Sequence, residues 1–194
     1  MTPRITDAIK TDHRELENHY NKILSASTER EKIHWKNLFI WELARHSIGE
    51  ELVVYPVFEK SLPDGRAMAD KDRHEHNMIK DHLQKFQNMQ PSNPELEPTL
   101  NSLMNNLSQH IQEEENNDFP KLEDAISSEE SEKLSTSFAR IKMFVPTPSY
   151  ASSSAPDKPP FESAVGLMAA PIDHLANRFR AWLHTSAMPD SSAG

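Results

Sequence analysis

The chain has 194 residues, a net charge of −9, 36% hydrophobic residues, 4 glycines against 14 prolines, and no cysteine. That length allows one compact core, and the low hydrophobic share leaves part of the chain outside it. Disulfides, thiolate ligands and cysteine nucleophiles are excluded, and the acidic balance argues against a nucleic-acid partner or a general attraction to anionic membranes. The opening MTPRITDAIKTDHRELE lacks the apolar region of a secretory signal, and no run approaches about 18 apolar residues. A cytoplasmic protein without a membrane span is the expectation.

In chain order, Ile5, Ile9, Leu16, Tyr20 and Ile23 predict an amphipathic helix over roughly 6–26. A second begins at about Glu29, with Phe39, Leu43, Val53 and Val57 on its inner stripe. The turn SLPDG (Ser61 to Gly65) separates it from a third helix carrying Ile79, Leu83 and Phe86 inward. PSNPELEP (Pro91 to Pro98) is the next break, and Leu96, Leu100, Leu103 and Leu107 mark a fourth helix. Ser127 with Glu130 reads as a capping box opening a shorter fifth helix to about Met143. The expected fold is all-α, an antiparallel up-down four-helix bundle over residues 1–145. A Pro/Ser-rich tether over 146–170 and a tail over 171–194, with a short amphipathic helix from Pro171 to His184, follow. The tail helix is expected to dock on the bundle and cover apolar surface.

One phrase occurs twice. HSIGEELVVYP from His46 and HIQEEENNDFP from His110 share a template of His, three residues, two Glu, three residues, an aromatic and Pro. His13 precedes His46 by 33 residues and His76 precedes His110 by 34. The chain therefore reads as two related helix hairpins, each with one His on its first helix and His-x3-Glu on its second. A single His on an apolar stripe is ordinarily a hydrogen-bonded core residue. Four helices each directing His inward, with two carboxylates, are mutually costly unless a cation sits among them.

The stripes select His13, His46, Glu50, His76, His110 and Glu114 as metal ligands, with His74 and His82 off the stripe and His19, His34, His174 and His184 at the surface. Two carboxylates from two helices suggest two ions, with Glu50 and Glu114 able to bridge them. Imidazole with oxygen donors suits iron, manganese or zinc. Iron is preferred, because His-rich, partly open sites in dry bundles suit dioxygen chemistry. Glu51 and Glu115 lie about 100° round the helix and are assigned to the layer behind the ligands or to solvent. Pro56 and Pro120 are expected to kink their helices, with Tyr55 and Phe119 plugging the bundle end beyond the centre.

DHRELE around His13, HSIGEE…YP, EHNMIK around His76 and HIQEEE…FP together resemble the hemerythrin-like, or HHE cation-binding, domain over roughly residues 5–120. The resemblance implies a four-helix bundle with a non-haem di-iron centre, two iron ions with a bridging oxo or hydroxo group, held by the same six residues. The tail DKPPFESAVGLMAAPIDHL is similar to a C-terminal extension of some fungal members.

The chain departs from the oxygen-carrying invertebrate members on the third helix, where they have His-x3-His and Lys80 stands one turn after His76. It departs again at Glu115, where they have Asp. Either Glu17 or water then fills the gap, or Lys80 pairs with Glu17, its counterpart in the repeat. Three functions stay open: binding of dioxygen, nitric oxide or peroxide; a di-iron oxidase, oxygenase or peroxide-consuming enzyme acting on a small-molecule substrate; or a metal-stabilised interaction module.

Overall fold

The computed structural model describes residues 2–144, 168 and 170–186. The expected tether thus lies outside the described residues, apart from Met168 and Ala170. Among the described residues the fold is all-helical, and no helix is long and apolar enough to cross a membrane.

Helix α1 spans Ile5–Ser25 and α2 spans Glu29–Gly49. Thr28 caps α2: its hydroxyl accepts from the Glu31 amide, while Glu31 accepts from the Thr28 amide. A π-helical turn, π1 (Glu50–Val54), leads into α3 (Tyr55–Ser61), and α4 follows as Gly65–Gln87. The α3–α4 turn brings backbone against backbone: a Cβ on Gly65 would lie 1.7 Å from the Phe58 carbonyl oxygen. Only glycine fits there. Helix α5 (Leu96–Glu113), π2 (Glu114–Asp118) and α6 (Phe119–Ala125) repeat the pattern, followed by α7 (Ser128–Phe144) and the tail helix α8 (Ile172–Ser186). Helix α5 starts inside the expected break, with Pro98 in its first turn, where a missing N–H costs no helical bond.

Helix α1 packs on α2 and α5, and α4 packs on α5, α2 and α3. The α1/α4 and α2/α5 pairs are therefore diagonals of an up-down bundle. Its interior is continuous apolar packing from Ile5, Leu16, Phe39, Leu83, Phe86 and Leu107, all at most 1% exposed. At the usual ~1.5–3 kcal/mol per fully buried large apolar side chain, this stripe is the main stabilising term.

The expected proline kinks take a different form. One turn before each proline the helix widens: the Tyr55 amide donates to the Glu50 carbonyl and the Phe119 amide to the Glu114 carbonyl, each five residues back. Proline has no N–H and its ring collides with an α-helical carbonyl, and the wider turn relieves both. The inserted residue also moves the inward stripe on by one position. Phe58, not Val57, is buried, and Leu122 is its counterpart in the second repeat. An unbroken 3.6-residue period over residues 29–61 could not anticipate that step.

Helix α7 ends one residue past the expected end near Met143, and its 17 residues make it shorter than α1, α2, α4 and α5, as expected. Ser127 Oγ accepts from the Glu130 amide at its start. The helix crosses α1, α2 and π1, burying Phe138 and Ile141. Its N-terminal Ser131 accepts from the Ile5 amide at 3.0 Å and donates to Glu123 at 2.9 Å, tying both ends of the chain's bundle together. Helix α8 docks on α7 and π1 through Leu175, which is 2% exposed, and through the Phe179 ring 5.5 Å from Phe144.

Candidate metal centre

The six residues that the repeat selects converge at one level of the bundle. His13 (α1), His46 (α2), Glu50 (π1), His76 (α4), His110 (α5) and Glu114 (π2) are all at most 6% exposed. His46 Nε2 lies 3.4 Å from one oxygen of Glu50, and His76 Nε2 lies 3.2 Å from the other. The second repeat mirrors this. His110 Nε2 lies 3.4 Å from one oxygen of Glu114, and His13 Nε2 lies 3.5 Å from the other. The imidazoles form two pairs, His13 with His46 and His76 with His110, each with ring centroids 4.8 Å apart and nearly perpendicular planes. Nε2 of His76 and Nε2 of His110 face each other at 3.1 Å. Each glutamate thus spans from one imidazole pair to the other.

Both oxygens of Glu50 and of Glu114, and Nε2 of His13 and His46, are buried with no hydrogen-bond partner among the described residues. Buried polar atoms left this way are costly, the carboxylates most of all. Cations among these donors would remove that cost. Donors about 2.0–2.2 Å from one ion and at roughly 90–110° to one another stand about 3.0–3.6 Å apart. The separations of 3.1–3.5 Å fall in that range, so the residues present fit a metal in each pair. His13, His46, Glu50 and Glu114 form one group of donors and Glu50, His76 and His110 a second.

Behind the rings, Nδ1 of His13 donates to Glu115 at 2.8 Å, and Arg14 holds Glu115 through both carboxylate oxygens. Nδ1 of His110 donates to Glu75 at 2.7 Å, with Lys71 3.0 Å from Glu75. Nδ1 of His46 faces Asp12 at 3.9 Å. The hydrogen-bonded carboxylates, Glu115 and Glu75, fix the orientation of their rings and raise the basicity of the imidazoles. His76 differs: its neighbour is the Tyr55 hydroxyl, 3.2 Å from Nε2 and 3.5 Å from Nδ1. The equivalent aromatic, Phe119, lies nearly parallel to His13, with centroids 6.1 Å apart. Both rings are buried, and each covers the imidazole of the other repeat.

Without metal, the charges distribute unevenly. Burial pulls His46 down, but Glu50 and Asp12 outweigh it and push its pKa up to about 9. Burial also opposes protonation of His110, and Glu114 with Glu75 push it up to about 10. His76 is held well below its ordinary value by burial and by the charge of His110. Burial, reinforced by the charges of Glu50 and Glu114, keeps the Tyr55 phenol protonated well past its ordinary range. Asp72, 1% exposed, is pushed up to about 8 by burial and then by the charge of Glu114.

Of the outer residues singled out in the sequence, Glu115 backs His13, and Glu51 pairs with Arg73 at 3.0 Å. Glu17 bonds Arg14 at 2.6 Å on the surface, and Lys80 donates to Asn77 at 3.2 Å. A Glu17–Lys80 pair does not form, and Glu17 fills no place in the cluster. The two residues stand on α1 and α4, the diagonal helices, and the bundle interior lies between them. His74 is exposed, and His82 turns to the Met78 carbonyl. His19 is half-buried against Trp35 rather than at the surface.

Asp12, Glu75 and Asp72 were not anticipated. Asp12 and Glu75 immediately precede His13 and His76, so the repeat itself held that signal. Asp72 stands one turn before His76 on the apolar stripe, where Ile9 stands before His13. A separate acidic group, Asp12, Glu15 and Glu42, surrounds the Lys142 ammonium, 2.5 Å from Asp12 and 2.8 Å from Glu42. That group is an ion-pair network joining α7 to the first hairpin.

Residues 4–122 match the family described as the hemerythrin HHE cation binding domain. A hemerythrin-like protein of Schizosaccharomyces pombe is 52% identical over 180 residues, covering 92% of this chain and 88% of its own. A DNA nickase of Nostoc is 24% identical over 138 residues, which are 71% of this chain but only 39% of that protein. The crystal structure of a hemerythrin HHE cation binding domain-containing protein from Mycobacterium kansasii has the same fold. Its TM-score is 0.63 at 23% identity, over 73% of this chain and 86% of that one. With the family match spanning most of the bundle and the close relative spanning the tail as well, the chain belongs to the hemerythrin HHE cation-binding family.

Proposed function

We propose that the chain holds two iron ions, one between His13 and His46 and one between His76 and His110, with Glu50 and Glu114 bridging them. In this reading the centre binds dioxygen or a related small molecule, nitric oxide or peroxide. The observation that supports it most is the pairing of the carboxylate oxygens: each glutamate gives one oxygen to its own repeat's imidazole and the other to the opposite repeat's. A single-ion site has no use for that division. The bound ions would supply the redox and Lewis-acid chemistry. The chain's own residues hold the imidazoles with Nε2 turned inward and exclude bulk water with Tyr55 and Phe119. Tyr55 also keeps a protonated hydroxyl beside His76.

An enzymatic reading, a di-iron oxidase, oxygenase or peroxide-consuming catalyst, is favoured by one feature. A cavity of about 80 Å³ reaches His76 between π1 and the tail helix. Metal analysis of the purified protein, with absorption spectra under nitrogen and air, tests the first reading. Two irons per chain with a reversible oxygen-dependent absorption band is the expected result. A single zinc, or no stoichiometric metal, would overturn it. Rapid turnover of a co-substrate under air would replace binding with catalysis.

A further inference from the structure

We infer that the cavity beneath the tail helix is a binding site for a small organic anion, a carboxylate of two or three carbons. It lies on the outer side of His76 and goes beyond the diatomic and peroxide ligands proposed above. Three features give the cavity its chemistry. Ser47, only 3% exposed, has a hydroxyl with no hydrogen-bond partner. A serine inside a helix ordinarily bonds back to the carbonyl four residues earlier, so this one is left available to an occupant. Lys80 donates to Asn77 at 3.2 Å and pairs with no carboxylate among the described residues. The remaining wall is apolar, made by Ile48 from the bundle and by Met168, Ile172 and Leu175 from the tail.

Glu51 also lines the cavity, and its carboxylate is drawn at 3.0 Å to Arg73, a guanidinium that it shares with Glu59 and Asp70. Lys80 supplies the positive charge among the lining residues, the serine supplies a donor, and the tail supplies the surface for an alkyl end. The repeat shows that this is not a general property of the fold. The positions equivalent to Ser47 and Lys80 in the other hairpin are Ile111 and Glu17. The volume of about 80 Å³ is roughly half of the ~150 Å³ cavity that accepts benzene, which suits an occupant with about four or five non-hydrogen atoms inside the pocket and its outer end at the open mouth. Acetate and propionate have that size.

The test titrates sodium propionate into the full chain as purified, with its metal, and follows heat release and the thermal midpoint, using sodium chloride as the ionic control. Saturable binding with Kd on the order of 1 mM is expected for so few atoms. Lys80→Met should weaken it about tenfold, and Ser47→Ala about threefold. Leu175→Asp, which detaches the tail, should abolish it, and neutral propionamide should bind about tenfold less well. Propionate binding that is unchanged in Lys80→Met and Ser47→Ala would place the anion on the metal or the outer surface and overturn the proposal. Equal binding of propionamide, or no saturable binding at all, would do the same. Because the metal content of each variant is measured beside the titration, failure of this site is distinguishable from failure of the di-iron reading.

Discussion

The hydroxyl of Tyr55 lies 3.2 Å from Nε2 of His76, although the two residues belong to different repeats. Phe119 has the same position against His13 and carries no hydroxyl. The two halves of the centre are therefore similar in donors and different in their covering ring, and that difference places a proton donor on the His76 side alone. Tyr55→Phe should leave two metals per chain and lower stability by about 1 kcal/mol, the usual net value of one hydrogen bond. It should also shift the absorption of the air-exposed protein. An unchanged spectrum would remove the hydroxyl from the chemistry of the centre.

Individual ligands should differ in what they hold. His76→Ala is expected to lose one metal per chain, and Glu50→Gln or Glu114→Gln both, because each carboxylate reaches both imidazole pairs. His74→Ala should retain both metals, since His74 is exposed. Elemental analysis of the four proteins settles the matter, and equal metal loss in His74→Ala would overturn the assignment.

Metal uptake should release protons. With pKa values of about 9 and about 10 in the metal-free fold, His46 and His110 are both protonated at neutral pH, and a metal must displace both protons. About two protons per chain are expected at pH 7, read as the dependence of binding heat on buffer ionisation enthalpy. Apparent affinity should rise with pH until about 9–10. The metal-free fold follows the opposite course. These raised histidines stabilise it below about pH 6.5, and that contribution is lost as pH climbs through 9 and 10. Glu75, lowered to about 2 chiefly by its bond to His110, contributes above pH 4.5 and is lost as pH falls through 2.

Lys142 connects α7 to the centre through Asp12, which faces His46. Lys142→Met leaves Asp12 and Glu42 buried with less compensation, at a cost of about 3 kcal/mol. Metal affinity should fall by about tenfold, because Asp12, which faces His46, is no longer held in place by the ammonium. A chelator competition assay beside a denaturant titration separates the two effects. Unchanged affinity with lowered stability would make the network purely structural.

Gly49 touches the same helix. A Cβ there would stand 2.5 Å from the Phe138 ring, which in turn lies edge-on to His46 with centroids 6.3 Å apart. Gly49→Ala should destabilise by about 1–3 kcal/mol through overpacking, measured by denaturant unfolding. Gly49→Ala with Phe138→Leu should recover most of the loss.

The helices and the convergence of the six side chains were legible in the sequence because both rest on local periodicity. Ile9, His13 and Leu16 share a face by spacing alone, and the doubled His-x3-Glu phrase names its own partners. The width of the helix at Glu50 and Glu114 was not legible. A π turn adds one residue without changing composition, so Phe58 rather than Val57 turns inward only once the backbone is seen. The acids behind the imidazoles depend on which helices are diagonal and which adjacent. Glu115 reaches His13 because α1 packs on α5, whereas Glu17 and Lys80 stay apart because α1 and α4 are diagonal. The sequence by itself determined that two hairpins would bring four histidines and two glutamates to one level. Only the tertiary structure decided which oxygen faces which imidazole, which side of the centre carries a phenol, and where the tail encloses a cavity, because these are contacts between residues that no local pattern relates.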